Sequence, residues 1–191
     1  MQWQNEPPVW QAQGKTVTAQ AATGTGSWFR VRGGRTVHVP HFYCEAITGS
    51  FRAQVKVIYH PDSQFDEAGL LVQLDDRSWL KFSIEAGQDV DQAKWVVARR
   101  NWLDRDYHPL PESHAYWLRV ERQDTTFDLS LSSDGISYSV VHQAILTKCQ
   151  KAEVGIIISS PMGSGFASRF EELEIVQQAS AVQDQHRHAS H

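Results

Sequence analysis

The chain has 191 residues, a formal charge of -4, 41% hydrophobic residues and 21% charged residues. This length suits a single domain, and a modest negative charge without a basic block excludes an electrostatic surface for nucleic acid. The sequence has neither a long apolar run for a membrane span nor a basic and apolar leader, so we expect a cytoplasmic protein that binds no membrane.

Apolar and polar residues alternate with a period of two along short segments separated by Gly, Asp, Ser and Pro, which predicts an all-β protein. The motifs DDRS and SDGIS are typical of tight hairpin turns, and Gly33 and Gly34 predict a further turn. A strand about every ten residues is typical of a β-sandwich or jelly roll. We predict strands at Lys15–Ala21, Ser50–Tyr59, Glu67–Asp75, Ser78–Ala86, Lys94–Arg100, His114–Gln123, Thr126–Asp134, Ser137–Ala144, Glu153–Ser160 and Ser168–Val176.

The domain organisation follows from where this alternation stops. No repeat or linker divides residues 1–177, which we predict to be one β-sandwich domain. Residues 178–191 have no apolar periodicity, so we predict a disordered tail there.

The sequence indicates no metal or cofactor. The tail histidines at 186, 188 and 191 could hold a transition metal only weakly, because nothing fixes their geometry. Cys44 and Cys149 lack the spacing of a zinc site, and we expect two free thiols. We find no loop with the oxygen ligands that calcium needs, and the glycine-rich loop at 159–166 lacks the lysine and helix of a phosphate-binding loop.

The predicted strand Ser78–Ala86 carries an unusual set of side chains on one face. Its apolar residues at 80, 82 and 84 are expected to pack in the core, whereas Trp79, Lys81, Ser83 and Glu85 share the other face. In the preceding strand, Gln73 falls on that same face. This pattern leaves two alternatives, a solvated sheet surface or the floor of a binding site.

A second group of candidates lies near strand ends, where loops on a rigid sandwich often carry binding residues. Asp66 precedes a strand, while Arg99, Trp102 and Asp104 enter a predicted loop that proline bounds. An indole face can stack on the apolar face of a sugar ring, and planar polar groups can hydrogen-bond its hydroxyls. The stacking candidates are Trp28, Trp79 and Trp102.

Glycoside hydrolysis is a weaker hypothesis. It requires two carboxyl groups about 5 to 5.5 Å apart for retention or roughly 6.5 to 9.5 Å apart for inversion. Glu85 is the candidate catalytic residue, with Glu67, Asp66 or Asp104 as its partner, but the sequence gives no distance between them. The E-x-D-x-E signature of alternating catalytic carboxylates and a G-x-S-x-G nucleophile motif are both absent from the sequence.

Several motifs in order resemble a family of domains of unknown function related to the fungal regulators of enolase. The resemblance runs from Trp3 to Ile175. The motifs that carry it are WQNEPPVW, GSWFRV, SFRAQVKV, FDEAGLLVQLDDRSWLKFSIE, VVARRNWLD, YWLRVERQ, SSDGISYSVV and VGIIISSPMGSGFASRFEELEI.

This resemblance implies a two-sheet antiparallel jelly-roll sandwich of the concanavalin A-like lectin/glucanase type, with a groove over one sheet. The family's recurring positions correspond here to Asp66, Gly69, Trp79, Lys81, Glu85, Trp102 and Asp104. Gly69 is expected to be structural. The other six, together with Gln73 and Arg99, are the expected ligand-binding residues.

Three functions therefore remain open. The first is a non-catalytic module that binds a carbohydrate or a sugar-phosphate-like metabolite in the groove. The second is a glycoside hydrolase or lyase that uses Glu85. The third, implied only by the fungal relatives, is a regulatory domain that contacts a metabolic enzyme.

Overall fold

A computed structural model describes residues 1–26, 39–100 and 102–178. These residues form fourteen β-strands, β1 to β14 in chain order. Their bounds are β1 Gln2–Gln4, β2 Val9–Gln13, β3 Thr16–Gln20, β4 His41–Thr48, β5 Phe51–Tyr59, β6 Glu67–Asp75, β7 Ser78–Ala86, β8 Asp91–Arg99, β9 Trp102–Pro109, β10 Ala115–Gln123, β11 Thr126–Ser132, β12 Ser139–Ile145, β13 Lys151–Ser159 and β14 Ala167–Gln177.

The strands form two seven-stranded sheets, and every pairing between named strands is antiparallel. Sheet A has the order β1-β4-β13-β6-β7-β8-β9, and sheet B has the order β12-β11-β10-β5-β14-β3-β2. The prediction of an all-β, two-sheet sandwich is confirmed.

The core lies between the sheets, where the alternating apolar residues of each strand meet. Leu70 and Phe82 of sheet A and Val55 and Leu118 of sheet B belong to one buried cluster, and each is at most 1% exposed. Burial of such side chains stabilises the fold by about 1.5–3 kcal/mol each. The inner face of each sheet is the face toward this core, and the outer face is the opposite one.

All ten predicted strands occur, and four further strands were not predicted. These four are β1, β2, β4 and β9. The loop predicted after Arg99 was wrong, because β8 turns directly into β9 and pairs with it from Arg99 to Gln92. The β9 sequence WLDRDYHP has charged or polar side chains on both faces, so no apolar stripe marks it as a strand.

Both cysteines are free, as expected, with Cys44 buried and Cys149 partly exposed. The described residues contain no helix long and apolar enough to cross a membrane. Trp28, the turn at Gly33 and Gly34, and the tail beyond residue 178 lie outside the described residues. Gln178 itself still bonds to the sandwich, through its backbone N–H to the Ser50 carbonyl at 2.8 Å.

Candidate functional site

The outer face of sheet A carries ionisable side chains along β6, β7 and β8. Glu67 of β6 lies opposite Glu85 of β7, and Lys94 of β8 lies opposite Ser83 of β7. Directly paired residues of an antiparallel sheet share a face, so these side chains and that of Lys81 meet away from the core. All four of the charged groups are largely shielded from water.

Glu67 and Lys81 form the deeper ion pair. The Lys81 ammonium lies 2.6 Å from Glu67 Oε1, and the two side chains are 1% and 0% exposed. The Ser83 hydroxyl donates to the same carboxylate, and the Ser159 hydroxyl donates to it from β13 at 3.5 Å. Burial lowers the pKa of Lys81, and its contact with Glu67 opposes that change.

Glu85 belongs to a second, more accessible pair. Its carboxylate accepts a hydrogen bond from Lys94 at 2.5 Å and one from the Gln92 amide at 3.2 Å. The Glu85 side chain is 3% exposed and that of Lys94 is 16% exposed. Burial raises the pKa of Glu85, the nearby Glu67 carboxylate raises it further, and the two lysines oppose the rise.

An exposed aromatic residue lies beside this second pair. Tyr107 of β9 is the direct partner of Lys94, so its ring is on the same face, and it is 60% exposed. Glu85, Gln92, Lys94 and Tyr107 thus combine a carboxylate, an amide, an ammonium and an open aromatic ring. We call these four residues the polar patch.

The other end of the same face is apolar and closed. Trp79 lies opposite Gln73 there and packs in a buried cluster, with only 2% of its surface exposed. Trp79 and Glu85 are six positions apart, which is about 20 Å along a strand. The structure therefore does not present Trp79 as an open stacking surface next to Glu85. The buried cluster consists of Phe42, Cys44, Leu71, Trp79, Val96, Ala98 and Ile157.

Asp66 has a full set of structural partners. Its Oδ2 accepts the backbone N–H groups of Asp62 and Ser63 at 3.0 and 2.9 Å, and its Oδ1 accepts the Ser160 hydroxyl at 2.6 Å. The residue is 0% exposed. These bonds hold the β5–β6 loop against the end of β13. The contact of Asp66 with a ligand stays a prediction.

Gly69 is structural, as expected. A Cβ atom at this position would overlap the Phe82 carbonyl oxygen and the Ser83 Cα atom of β7. The absence of a side chain lets β6 and β7 approach closely beneath the Ser83–Glu67 hydrogen bond.

The expected grouping of Trp102 and Asp104 with Trp79 was wrong. Trp102 pairs with Arg99, and Asp104 pairs with Val97, a core residue. By this register Arg99, Trp102 and Asp104 lie on the inner face of sheet A, opposite to the polar patch. The reason is that β9 is a paired strand rather than a loop, so alternation decides where each side chain lies.

The sequence interpretation overlooked three members of the polar patch. Lys94 and Gln92 alternate with core residues at the start of β8, and this alternation could have placed them beside Glu85 once the β7–β8 hairpin was assumed. Tyr107 gave no such signal, because β9 itself was not predicted.

One end of the sandwich also holds an open cavity of about 440 Å³. Its lining includes the carboxylates of Asp62, Asp89, Asp91 and Glu112, and none of the described residues that line it is a lysine or arginine. Burial raises the pKa of Asp91. A phosphate group would be repelled in this cavity.

The sheet order and the antiparallel pairing are those of a two-sheet jelly-roll sandwich. The chain belongs to the family described as "Protein of unknown function (DUF1349)", whose model matches residues 3–178. The resemblance expected from the motifs is confirmed.

Comparisons with known sequences and structures show what this chain is similar to. The chain is 29% identical over 173 residues to "Regulation of enolase protein 1" from Saccharomyces cerevisiae, covering 89% of this chain and 86% of that protein. A functionally unknown protein from Saccharomyces cerevisiae superposes with a TM-score of 0.84 at 25% identity, covering 93% of this chain and 96% of that chain. The carbohydrate-binding module CBM66 from Bacillus subtilis superposes with a TM-score of 0.55 at 13% identity, covering 91% of this chain and 94% of that module.

Proposed function

We propose that this protein is a non-catalytic binding module that takes a carbohydrate or a sugar-phosphate-like metabolite on the outer face of sheet A. The observation that carries the proposal is the polar patch, where a largely buried Glu85 held by Lys94 and Gln92 lies next to the exposed ring of Tyr107.

Each group of the patch has a defined part in such binding. The Glu85 carboxylate accepts hydrogen bonds from sugar hydroxyls, while the Lys94 ammonium and the Gln92 amide donate to hydroxyl or phosphate oxygens. The Tyr107 ring offers a flat apolar surface to the C–H face of a sugar. The buried ion pair of Glu67 and Lys81 lies on the same face of sheet A, and each of its two charges neutralises the other.

The fold is consistent with this use, since a carbohydrate-binding module shares it. That likeness concerns the architecture alone. The argument for a ligand comes from the side chains of the polar patch.

A thermal-shift screen tests the proposal. Purified protein is melted with xylohexaose, maltohexaose, glucose 6-phosphate and related saccharides, and a bound ligand should raise the melting temperature. Glu85→Gln and Tyr107→Ala should abolish the rise. Glu171→Gln is the matched control, because Glu171 also pairs with a lysine but lies on sheet B. No shift with any saccharide, or a shift that survives both patch variants, would refute the proposal.

The pH dependence of binding gives a further check. The ionised form of Glu85 is the hydrogen-bond acceptor, and its pKa lies above the ordinary value of 4.5. Binding should therefore weaken as the pH falls through this raised pKa and persist above it. A binding curve that stays flat down to pH ~4 would remove Glu85 from the site.

Glycoside hydrolysis is the second candidate, because Glu85 and Glu67 face each other across adjacent strands and the pKa of Glu85 is raised. A raised pKa is what a general acid requires. The ion pairs with Lys94 and Lys81 favour binding instead, since each neutralises one carboxylate. Product release from an oligosaccharide that disappears in Glu85→Gln would establish catalysis.

The name of the yeast relative suggests a third function, regulation of a metabolic enzyme. Co-purification of enolase with this protein from cells of its own source, at native abundance, would support it. Enolase activity that is unchanged by saturating amounts of the purified protein would count against it.

A further inference from the structure

The edge strand β9 extends beyond the sheet that covers its neighbour. Val97 and Trp95 of β8 are 0% and 6% exposed on the inner face, whereas Trp102 on the inner face of β9 is 53% exposed. Sheet B therefore covers β8 but stops short of β9. The uncovered ledge and its border, which we call the β9 shelf, consist of Arg99, Trp102, Asp104, Asp106 and His142.

Two ring contacts hold the shelf in place. The Arg99 guanidinium lies 5.1 Å from the centre of the Trp102 ring, a cation–π contact that restrains the indole. His142, from the edge strand of sheet B, stacks on Trp95 at 5.0 Å with an angle of 18° between the rings. The exposed tryptophan is thus attached to rigid elements on one side and bordered by the sandwich on the other.

Asp104, Asp106 and Arg99 lie close enough to His142 to influence its pKa. Burial lowers the pKa of His142, Asp104 and Asp106 oppose that change, and Arg99 adds to it. In addition, Nε of Arg99 and Nε1 of Trp95 are buried without a hydrogen-bond partner among the described residues. The shelf therefore combines carboxylate acceptors, a guanidinium with an unused donor and a flat aromatic surface.

We propose that the β9 shelf is a second ligand site, which binds a neutral saccharide. Trp102 stacks on one sugar ring, Asp104 and Asp106 accept hydrogen bonds from its hydroxyls, and Arg99 donates to a ring or hydroxyl oxygen. Because the shelf lies on the opposite face of β9 from Tyr107, it does not depend on the polar patch.

The mixture of charges selects a neutral ligand. A phosphate would face two carboxylates, and a cationic peptide or amine would face Arg99 above the exposed indole. A polyhydroxyl compound can donate to the carboxylates and accept from the guanidinium at the same time. The exposed, open position of Trp102 suits an extended oligosaccharide rather than an enclosed single sugar.

NMR of the indole N–H groups tests this site directly. The Trp102 signal is assigned from the Trp102→Phe variant, and the protein is titrated with xylohexaose, maltohexaose, cellohexaose and glucose 6-phosphate. At least one neutral hexasaccharide should shift the Trp102 signal. Trp102→Ala and Asp104→Asn should then weaken that binding about tenfold or more, as expected for the loss of a stacking ring or an acceptor.

Leu103→Ala is the matched control, because Leu103 is the next residue on β9, is exposed, and lies on the outer face. It should leave the affinity unchanged, and unaltered melting curves should show that all variants fold. The proposal fails if no neutral hexasaccharide moves the Trp102 signal, or if glucose 6-phosphate binds more tightly than the neutral saccharides. It also fails if Leu103→Ala weakens binding as much as Trp102→Ala. A loss caused by Glu85→Gln alone would support the polar patch and reject the shelf.

Discussion

The outer faces of the two sheets carry similar ion pairs in opposite surroundings. On sheet B, Lys56 and Glu171 lie 3.1 Å apart and are 22% and 23% exposed. On sheet A, Lys81 and Glu67 lie 2.6 Å apart and are 1% and 0% exposed. The residue types are the same, and the largest difference between the two pairs is their access to water.

This difference bears on what each pair does. A partly exposed pair adds little to stability, because water solvates the charges almost as well as they solvate each other. A buried pair loses that solvation and needs good geometry and further hydrogen bonds to recover it, which Ser83 and Ser159 supply on sheet A. Apolar residues would fill that space at a lower desolvation cost, so the buried pair on sheet A is not explained by a gain in stability.

Among the substitutions that test this contrast, replacement of Lys81 should lower the free energy of unfolding the most. Lys81→Met leaves the Glu67 carboxylate buried without its cation, and we expect unfolding free energy to fall by about 3–5 kcal/mol. Urea unfolding followed by tryptophan fluorescence measures the change.

The double variant Lys81→Met with Glu67→Leu is the control, since it removes both charges. It should recover much of the lost stability, because an apolar pair avoids the desolvation cost. A single variant as stable as the wild type would show that water reaches this pair, and the contrast between the two sheets would disappear.

Gly69→Ala should have an intermediate effect. The added methyl group would collide with the β7 backbone at Phe82 and Ser83, so the strands must separate beneath the ion pair. We expect a loss of roughly 1–3 kcal/mol in urea unfolding. Gly14→Ala is a useful comparison for steric effects, because a Cβ at Gly14 meets nothing within 4 Å, although its φ of +60° adds backbone strain.

Lys56→Met should have the smallest effect. The variant removes the exposed pair with Glu171 and a cation–π contact with Trp117 at 5.0 Å, and we expect a loss below about 1 kcal/mol. If this loss equals that of Lys81→Met in the same urea experiment, burial is not what distinguishes the two sheets.

Much of the fold could be predicted from the sequence because most strands carry a regular apolar stripe on the face toward the core. The segment Phe51–Tyr59 alternates buried and partly exposed residues along its whole length, and the bounds of β6 and β7 were predicted to the residue. In contrast, β9 has exposed or partly exposed residues at every position, and its pattern carries no sign of a strand. Alternation reports burial, so it is silent about an edge strand that neither face buries.

The site was predictable only in part for a related reason. The assignment of Lys81 and Glu85 to one face was confirmed, since one strand decides it. Lys81 pairs with Glu67 of β6, and Glu85 pairs with Lys94 of β8. Both partners come from neighbouring strands, so the pairing depends on contacts across the sheet, which the pattern of a single strand does not contain. The burial of Trp79 depends on what surrounds the apolar end of the face, which local pattern does not contain.

The charge order of β9 also bears on association between copies of the chain. Trp102, Leu103 and Tyr107 are exposed on this free edge, which is the composition of a strand prone to pair with another. A two-fold antiparallel pairing centred on residue 105 would put arginine opposite arginine and Asp104 opposite Asp106. Pairings centred on 104 or 106 would put like carboxylates together, so the alternating charges disfavour two-fold pairing of two copies along the edge that displays the aromatic rings.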